Sequence, residues 1–185
     1  MRKRFGVMVA AALLVVAGAA PAYARPALPD ATDGAYLNEM LTAINTYRSR
    51  HGAPAVRFDP ELNAYAKNRA ARISAFEGLS EDHRGLDPGT GETLYWGGAT
   101  APGPVSARAA ARAWYDEVAA YDFEAGRFSG ATGNFTQLVW KGSTRIGAAR
   151  SAGRGSKWYE TYIVVNWRAP GNLTGSFTQN VAPTR

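Results

Sequence analysis

Apolar positions along the chain recur first at a helical period and later at a strand period. Tyr36, Met40, Ile44 and Tyr47 fall three and four residues apart, which places them on one face of a helix over Tyr36–His51. Gly52 and Pro54 close that helix. His51, its last residue, reads as a cation facing the free carbonyls of the helix end. A second helix opens at Asp59-Pro60-Glu61-Leu62. Asp59 caps it, Pro60 suits the first helical position, and Glu61 favours the positive end of the dipole. Leu62, Ala66, Ile73 and Phe76 continue its stripe. A third helix is predicted over Ser106–Tyr121, where Ala110, Trp114, Val118 and Tyr121 share a face.

Between the second and third helices the chain is rich in Gly, Pro, Asp and Thr, a loop composition, with a short strand expected at Glu92–Trp96. Beyond Tyr121 the period changes. Thr136–Trp140, Thr144–Arg150 and Trp158–Trp167 read as strands, joined by "KGST" and "SAGRGSK" into an antiparallel meander. "YIVVNW" is apolar at neighbouring positions, so both of its faces should be covered. Helices before a small antiparallel sheet predict an α+β domain with helices on both faces.

Not all 185 residues belong to that domain. Residues 1–24 combine a basic head (Arg2, Lys3, Arg4), an apolar run and the small-x-small ending Ala22-Tyr23-Ala24, the anatomy of a cleaved export signal. Residues 25–35 are Pro- and Ala-rich and read as a flexible tail. Cleavage after Ala24 would leave 161 residues and lower the formal net charge from +6 to +3. The remaining basic residues form no block, which argues against a nucleic-acid partner. The chain has no cysteine, so an exported domain of this kind relies on its core and not on disulfides.

Candidate chemistry is sparse. His83 lies in the long loop, nine positions before Glu92, and Glu92 leads into an apolar segment where a carboxylate needs partners. Glu117 sits at the edge of the third helix's buried stripe, between Trp114 and Val118. Asn134 heads the segment "GNFTQLVWKGSTRIG". The sequence shows no Gly-x-Ser-x-Gly elbow, His-Glu-x-x-His helix or phosphate-cradling Gly loop. Two carboxylates and one His suit acid–base work or weak metal binding, and spacing alone does not decide whether they converge.

Five segments, in order, resemble the CAP superfamily, which groups cysteine-rich secretory proteins, antigen 5 and group-one pathogenesis-related proteins. They are "NTYRSRHGAPAVRFDPELNAYA", "GETLYWG", "AWYDEVAAYDF", "GNFTQLVWKGSTRIG" and "VVNWRAPGNLTG". The resemblance covers residues 36–181 and leaves 182–185 as a C-terminal tail. It implies an α-β-α sandwich with a central three-stranded antiparallel sheet and a cleft lined by two His and two Glu. By position, His83, Glu92 and Glu117 match three of the four, and Asn134 stands where the second His is expected. In the family the two His can hold zinc or another divalent ion. Zinc prefers imidazole or thiolate to an amide oxygen. The expectation is therefore no resident cofactor, with a weak divalent-ion site at His83, Glu92 and Glu117 as the alternative.

Many family members carry Cys where this chain has Ala148 and Val165, and the family's usual His of the first helix is here Ile44. The resemblance also implies binding of a lipid, sterol or other amphiphile. The family's aromatic loop after the third helix matches Tyr121, Phe123 and Phe128, which would either present apolar area to that ligand or pack in the core. Other readings are an extracellular hydrolase using His83 with Glu92 or Glu117, and a cell-envelope or antimicrobial protein. Asn134-Phe135-Thr136 and Asn172-Leu173-Thr174 fit the glycosylation pattern but lie inside the family segments, so they read as structural.

Overall fold

The computed structural model describes residues 25–185; the export signal read at residues 1–24 lies outside them. The elements are α1 (Gly34–Arg50), β1 (Arg57–Phe58), α2 (Pro60–Ser74), β2 (Gly91–Ala99), α3 (Ala107–Asp116), α4 (Gly133–Leu138), β3 (Arg145–Arg154), β4 (Tyr159–Arg168) and α5 (Phe177–Asn180). Local chemistry sets the helix starts. Asp33 accepts from the Tyr36 amide at 2.7 Å, Asp59 from Glu61 and Leu62 at 2.9 and 3.2 Å, and Ser106 from Ala109 at 3.1 Å. Each cap contributes about 1 kcal/mol. The third helix ends at Asp116, five residues short of the expected end, and continues as a 3-10 turn over Glu117–Ala120.

The sheet has the order β1-β3-β4-β2. β2 and β3 both pair antiparallel with β4, and the two-residue β1 adds to β3 in parallel. The third antiparallel strand is therefore β2, which runs well past the short strand read at Glu92–Trp96. Residues 136–140 are not a strand. Most of that segment lies in or beside the short helix α4, and Phe135 to Leu138 are all buried. A segment covered on every side has no apolar period, so its sequence does not separate a short helix from a buried strand. β3 also extends to Arg154, so the hairpin turn falls at Gly155–Trp158, where the Gly155 amide donates to the Trp158 carbonyl at 2.8 Å.

Strand alternation makes the sandwich. Ile163, Val165 and Trp167 of β4 join Ile146 and Ala148 beneath α1, α3 and α4, with Met40, Ile44, Trp114 and Phe135 packed on them. Tyr162 and Val164 face the other way, onto Ala66, Ala70 and Ile73 of α2. Ala148 and Val165 are direct partners in the β3–β4 register and fully buried, so a packed apolar pair stands there. At Gly147 a Cβ would overlap the Leu62 carbonyl, so only glycine lets the first turn of α2 approach the sheet this closely.

Two residues with ionisable side chains at the end of α1, His51 and Arg48, are interior. His51 is fully buried; Nδ1 lies 2.6 Å from the Ala182 carbonyl and Nε2 3.1 Å from the Tyr115 hydroxyl. Burial lowers its pKa, so it is a neutral hydrogen-bonding residue and not a helix-terminal cation. Arg48, also fully buried, donates to the carbonyls of Pro54, Leu138, Trp140 and Ser143 at 2.8–3.0 Å. Desolvation pushes it down to about 10, so it stays charged at neutral pH and clamps the chain after α4 to α1.

Neither terminal segment is loose. Arg25 pairs with Glu160, Leu28 is buried, and the Ala31 amide donates to the Arg150 carbonyl at 2.8 Å. At the other end the Ala182 carbonyl holds His51, and the Arg185 amide donates to the Arg50 carbonyl at 2.9 Å.

Candidate functional site

A cavity of about 500 Å³ opens where β2 begins, between the loop before it, α4 and the chain after β4. Glu92 is its anchor. The second residue of β2 faces α2, and its side chain is fully buried. Arg69, one of the residues of α2 facing the sheet, grips both carboxylate oxygens: Nε to Oε2 and Nη2 to Oε1, each 2.7 Å. Asn166, the Cα partner of Glu92 on β4, donates its amide at 3.1 Å. His83 Nδ1 is 3.0 Å from Oε1.

Arg69 also orders the loop that carries His83. Its remaining guanidinium hydrogens reach the carbonyls of Arg84 at 2.7 Å and Asp82 at 3.1 Å. One buried guanidinium thus neutralises the site's carboxylate and fixes the loop that presents its imidazole. Arg69 was legible only as an anomaly. It lies three residues after Ala66 and four before Ile73, inside an apolar stripe, where a cation demands a buried carboxylate.

The other half of the expected tetrad lies across the cavity. Glu117 accepts from Asn134 Nδ2 at 2.7 Å and from the Phe135 amide at 2.9 Å, so its carboxylate holds the first turn of α4. His83, Glu92 and Asn134 line the cavity, whereas Glu117 stands behind Asn134 and is not part of the wall. Asn172 is also committed: it donates to the Gly133 carbonyl at 2.9 Å and accepts from the Thr136 hydroxyl at 2.6 Å. Both Asn side chains of the acceptor patterns are thus built into the fold. The aromatic triplet divides. Tyr121 is buried and Phe123 half-buried, in edge-on contact with each other and both packed on Phe135. Phe128 alone is exposed, at 55%, and it lines the cavity mouth with Leu79.

The donor set does not fit a resident metal. Both oxygens of Glu92 lie in the fork of Arg69, one nitrogen of His83 is on Glu92, and an amide replaces the second imidazole. Among the described residues no group of three or more His, Cys, Asp or Glu side chains is arranged to hold an ion. His83, Glu92 and Glu117 therefore do not make a mixed site. After mild dialysis the purified protein should retain little zinc by elemental analysis, and Asn134→His, which adds an imidazole to the wall opposite His83, should raise retention. Stoichiometric zinc in the unmodified protein would contradict this.

The charges of the site titrate in opposite senses. The hydrogen bond to Glu92 raises the His83 pKa above its ordinary 6.5, with burial opposing. Burial pushes Glu92 up, but the hydrogen bonds from His83 and Arg69 outweigh it and leave the carboxyl below its ordinary value. A raised base stabilises the fold fully below its unfolded pKa and ceases to as pH rises through the folded value. A depressed acid stabilises above its unfolded pKa and loses that as pH falls through the folded value. The His83–Glu92 contribution is therefore largest between the two, at about pH 5–6. The difference in melting temperature between the unmodified protein and His83→Gln should be greatest there and shrink towards pH 9; a difference that grows with pH would contradict the assignment.

A family model described as the cysteine-rich secretory protein family matches residues 41–167. The human Golgi-associated plant pathogenesis-related protein 1 is 30% identical over 151 residues, which cover 80% of this chain and 93% of the relative. The secreted protein PRY1 of Candida albicans is 31% identical over 161 residues, and protein PRY2 of Saccharomyces cerevisiae 32% over 149. Those matches cover 87% and 80% of this chain but only 36% and 41% of the two fungal proteins. The crystal structure of NaASP2 with Zn2+ has the same fold, with a TM-score of 0.59 at 20% identity over 85% of this chain and 90% of that one. Sequence segments, fold and relatives agree: the chain belongs to the cysteine-rich secretory protein (CAP) family, as a member without cysteine.

Proposed function

We propose that the protein is an extracellular CAP-domain module that binds a lipid, sterol or similar amphiphile. The observation that carries this reading is a groove of about 780 Å³ along α1, bounded on its far side by Pro104, Ser106 and Arg108 at the start of α3. Tyr36, Ala43 and Tyr47, each less than a tenth exposed, form a narrow apolar floor between polar sides that include Asn38, Glu39, Thr42, Arg50 and Arg108. A fixed apolar floor between polar and charged sides suits a chain with a charged head.

This floor is preorganised. Tyr36 donates its hydroxyl to the Ala149 carbonyl at 3.2 Å, and the Arg150 guanidinium lies 4.6 Å from its ring centroid. Tyr47 stacks on Tyr115 with centroids 4.1 Å apart, and Arg50 lies over both rings. Little side-chain freedom is left to lose on binding. The Tyr121–Phe123–Phe128 loop is a weaker candidate because two of its three rings are spent in the core. Export of the chain is supported by its leader sequence and by the relative named a secreted protein.

The hydrolase reading loses support. His83 contacts Glu92 and Asp82 and no hydroxyl, so no activated nucleophile is formed among the described residues.

Mass spectrometry of an organic extract of the secreted protein should find a co-purified amphiphile. A long-chain fatty acid used as probe should stabilise the protein by about 2.7 kcal/mol at a hundredfold excess over Kd. Thr42→Trp, an exposed position in the groove, should abolish that stabilisation. A clean extract with no thermal shift, or a shift that survives Thr42→Trp, would overturn the reading.

A further inference from the structure

We propose that a second recess, outside both the cleft and the groove, binds a neutral pyranose ring of a glycan. It lies between the chain after α2 and the β3–β4 turn, has a volume of about 260 Å³, and is lined by Trp96, Trp158, Glu77, Ser156, Lys157 and Glu160. That is room for about one sugar ring, just below the usual range of ligand cavities.

Its aromatic surface is unusual for this chain. Of the five tryptophans, Trp114, Trp140 and Trp167 are buried at 2% exposure or less. Trp96 is 37% exposed, on the edge strand β2, and Trp158 is half-buried beside it. The Trp158 ring lies against Gly98, where a Cβ would stand 3.1 Å from it, so the bare strand backbone seats the indole. Indole faces take the axial C–H surface of a pyranose as they take other weakly positive groups.

The floor is equally fixed. The Glu160 side chain is 3% exposed, gripped by two nitrogens of Arg25 and by the Tyr162 hydroxyl at 2.7 Å. At Gly155 a Cβ would overlap that carboxylate, so glycine is required for the turn to close over it. Around the rim, the Ser156 hydroxyl donates to the Glu77 carboxylate, and the Lys157 ammonium lies 4.9 Å from the Trp158 ring centroid. These rim groups can donate to and accept from sugar hydroxyls.

Charge balance selects the ligand class. Glu160 is neutralised by Arg25, and exposed Glu77 is offset by Lys157, so the recess carries no net charge. Lys157 already occupies the Trp158 ring, so a ligand stacks on the more exposed Trp96, where a quaternary ammonium would meet the like charge of Lys157 across the recess. A neutral polyol leaves that ammonium in place as a hydrogen-bond donor. The exposed Trp96 ring beside fixed carboxylate, hydroxyl and ammonium groups therefore suits a sugar.

The test is a tryptophan-fluorescence titration of the protein with cellohexaose, maltohexaose and chitohexaose, in which Trp96 and Trp158 are the indoles open to ligand. At least one oligosaccharide should give a saturable change. Trp96→Ala should weaken its binding by about tenfold or more in protein that circular dichroism shows still folded at the assay temperature, even though loss of the partly buried ring lowers the melting temperature. Glu77→Gln, an exposed change that spares the fold, should weaken it severalfold. The proposal is overturned if none of the three saturates, if either variant binds as tightly as the unmodified protein, or if tetramethylammonium binds and the sugars do not.

Discussion

The pairing of Arg69 with Glu92 is the interaction on which the cleft depends. A carboxylate buried at the start of a strand costs several kcal/mol unless a charge and hydrogen bonds meet it. Arg69 supplies two short hydrogen bonds to it and spends its remaining donors on the loop carbonyls of Asp82 and Arg84. The helix, the strand and the His83 loop are thus tied through one side chain. An internal cation holds the place next to Glu92, and the amide of Asn134 holds Glu117 instead of facing an ion. The carboxylates of the cleft are met from within the fold and are not open ligands.

The same economy recurs elsewhere in the fold. Arg48 gathers four carbonyls where the chain leaves α4, and Arg25 neutralises Glu160 where α2 ends. Arg150 joins the Ala31 and Val105 carbonyls across the top of the sheet. A chain without cysteine has no covalent tie between its loops and its sheet, and in this one buried guanidinium groups bind irregular backbone to regular elements. The surfaces we propose for ligands, the α1 groove and the tryptophan recess, lie outside that cleft.

Much of this was legible in the sequence. Asp59-Pro60 and Ser106 mark where two helices begin, and the run of neighbouring apolar residues in β4 showed that both faces of the sheet are covered. The family segments brought His83, Glu92 and Asn134 to one cavity. What escaped has a common cause: residues whose role is set by tertiary burial. "TQLVW" is covered on all sides and carries no period, so α4 read as a strand. Arg48, Arg69 and His51 carry surface chemistry in their composition but sit among carbonyls and carboxylates that only the fold brings near. The segment 25–35 has a loose tail's composition, yet it is held by Arg25, Leu28 and Ala31.

The central claim is that Glu92 is satisfied from within by Arg69. A double-mutant cycle in urea, with Arg69→Met, Glu92→Gln and both together, measures that coupling directly. Each single change should cost about 3–5 kcal/mol, and the double variant should be more stable than the sum of the two losses by about 2 kcal/mol or more. Losses that simply add would contradict it, because they would mean that the carboxylate and the guanidinium do not depend on each other.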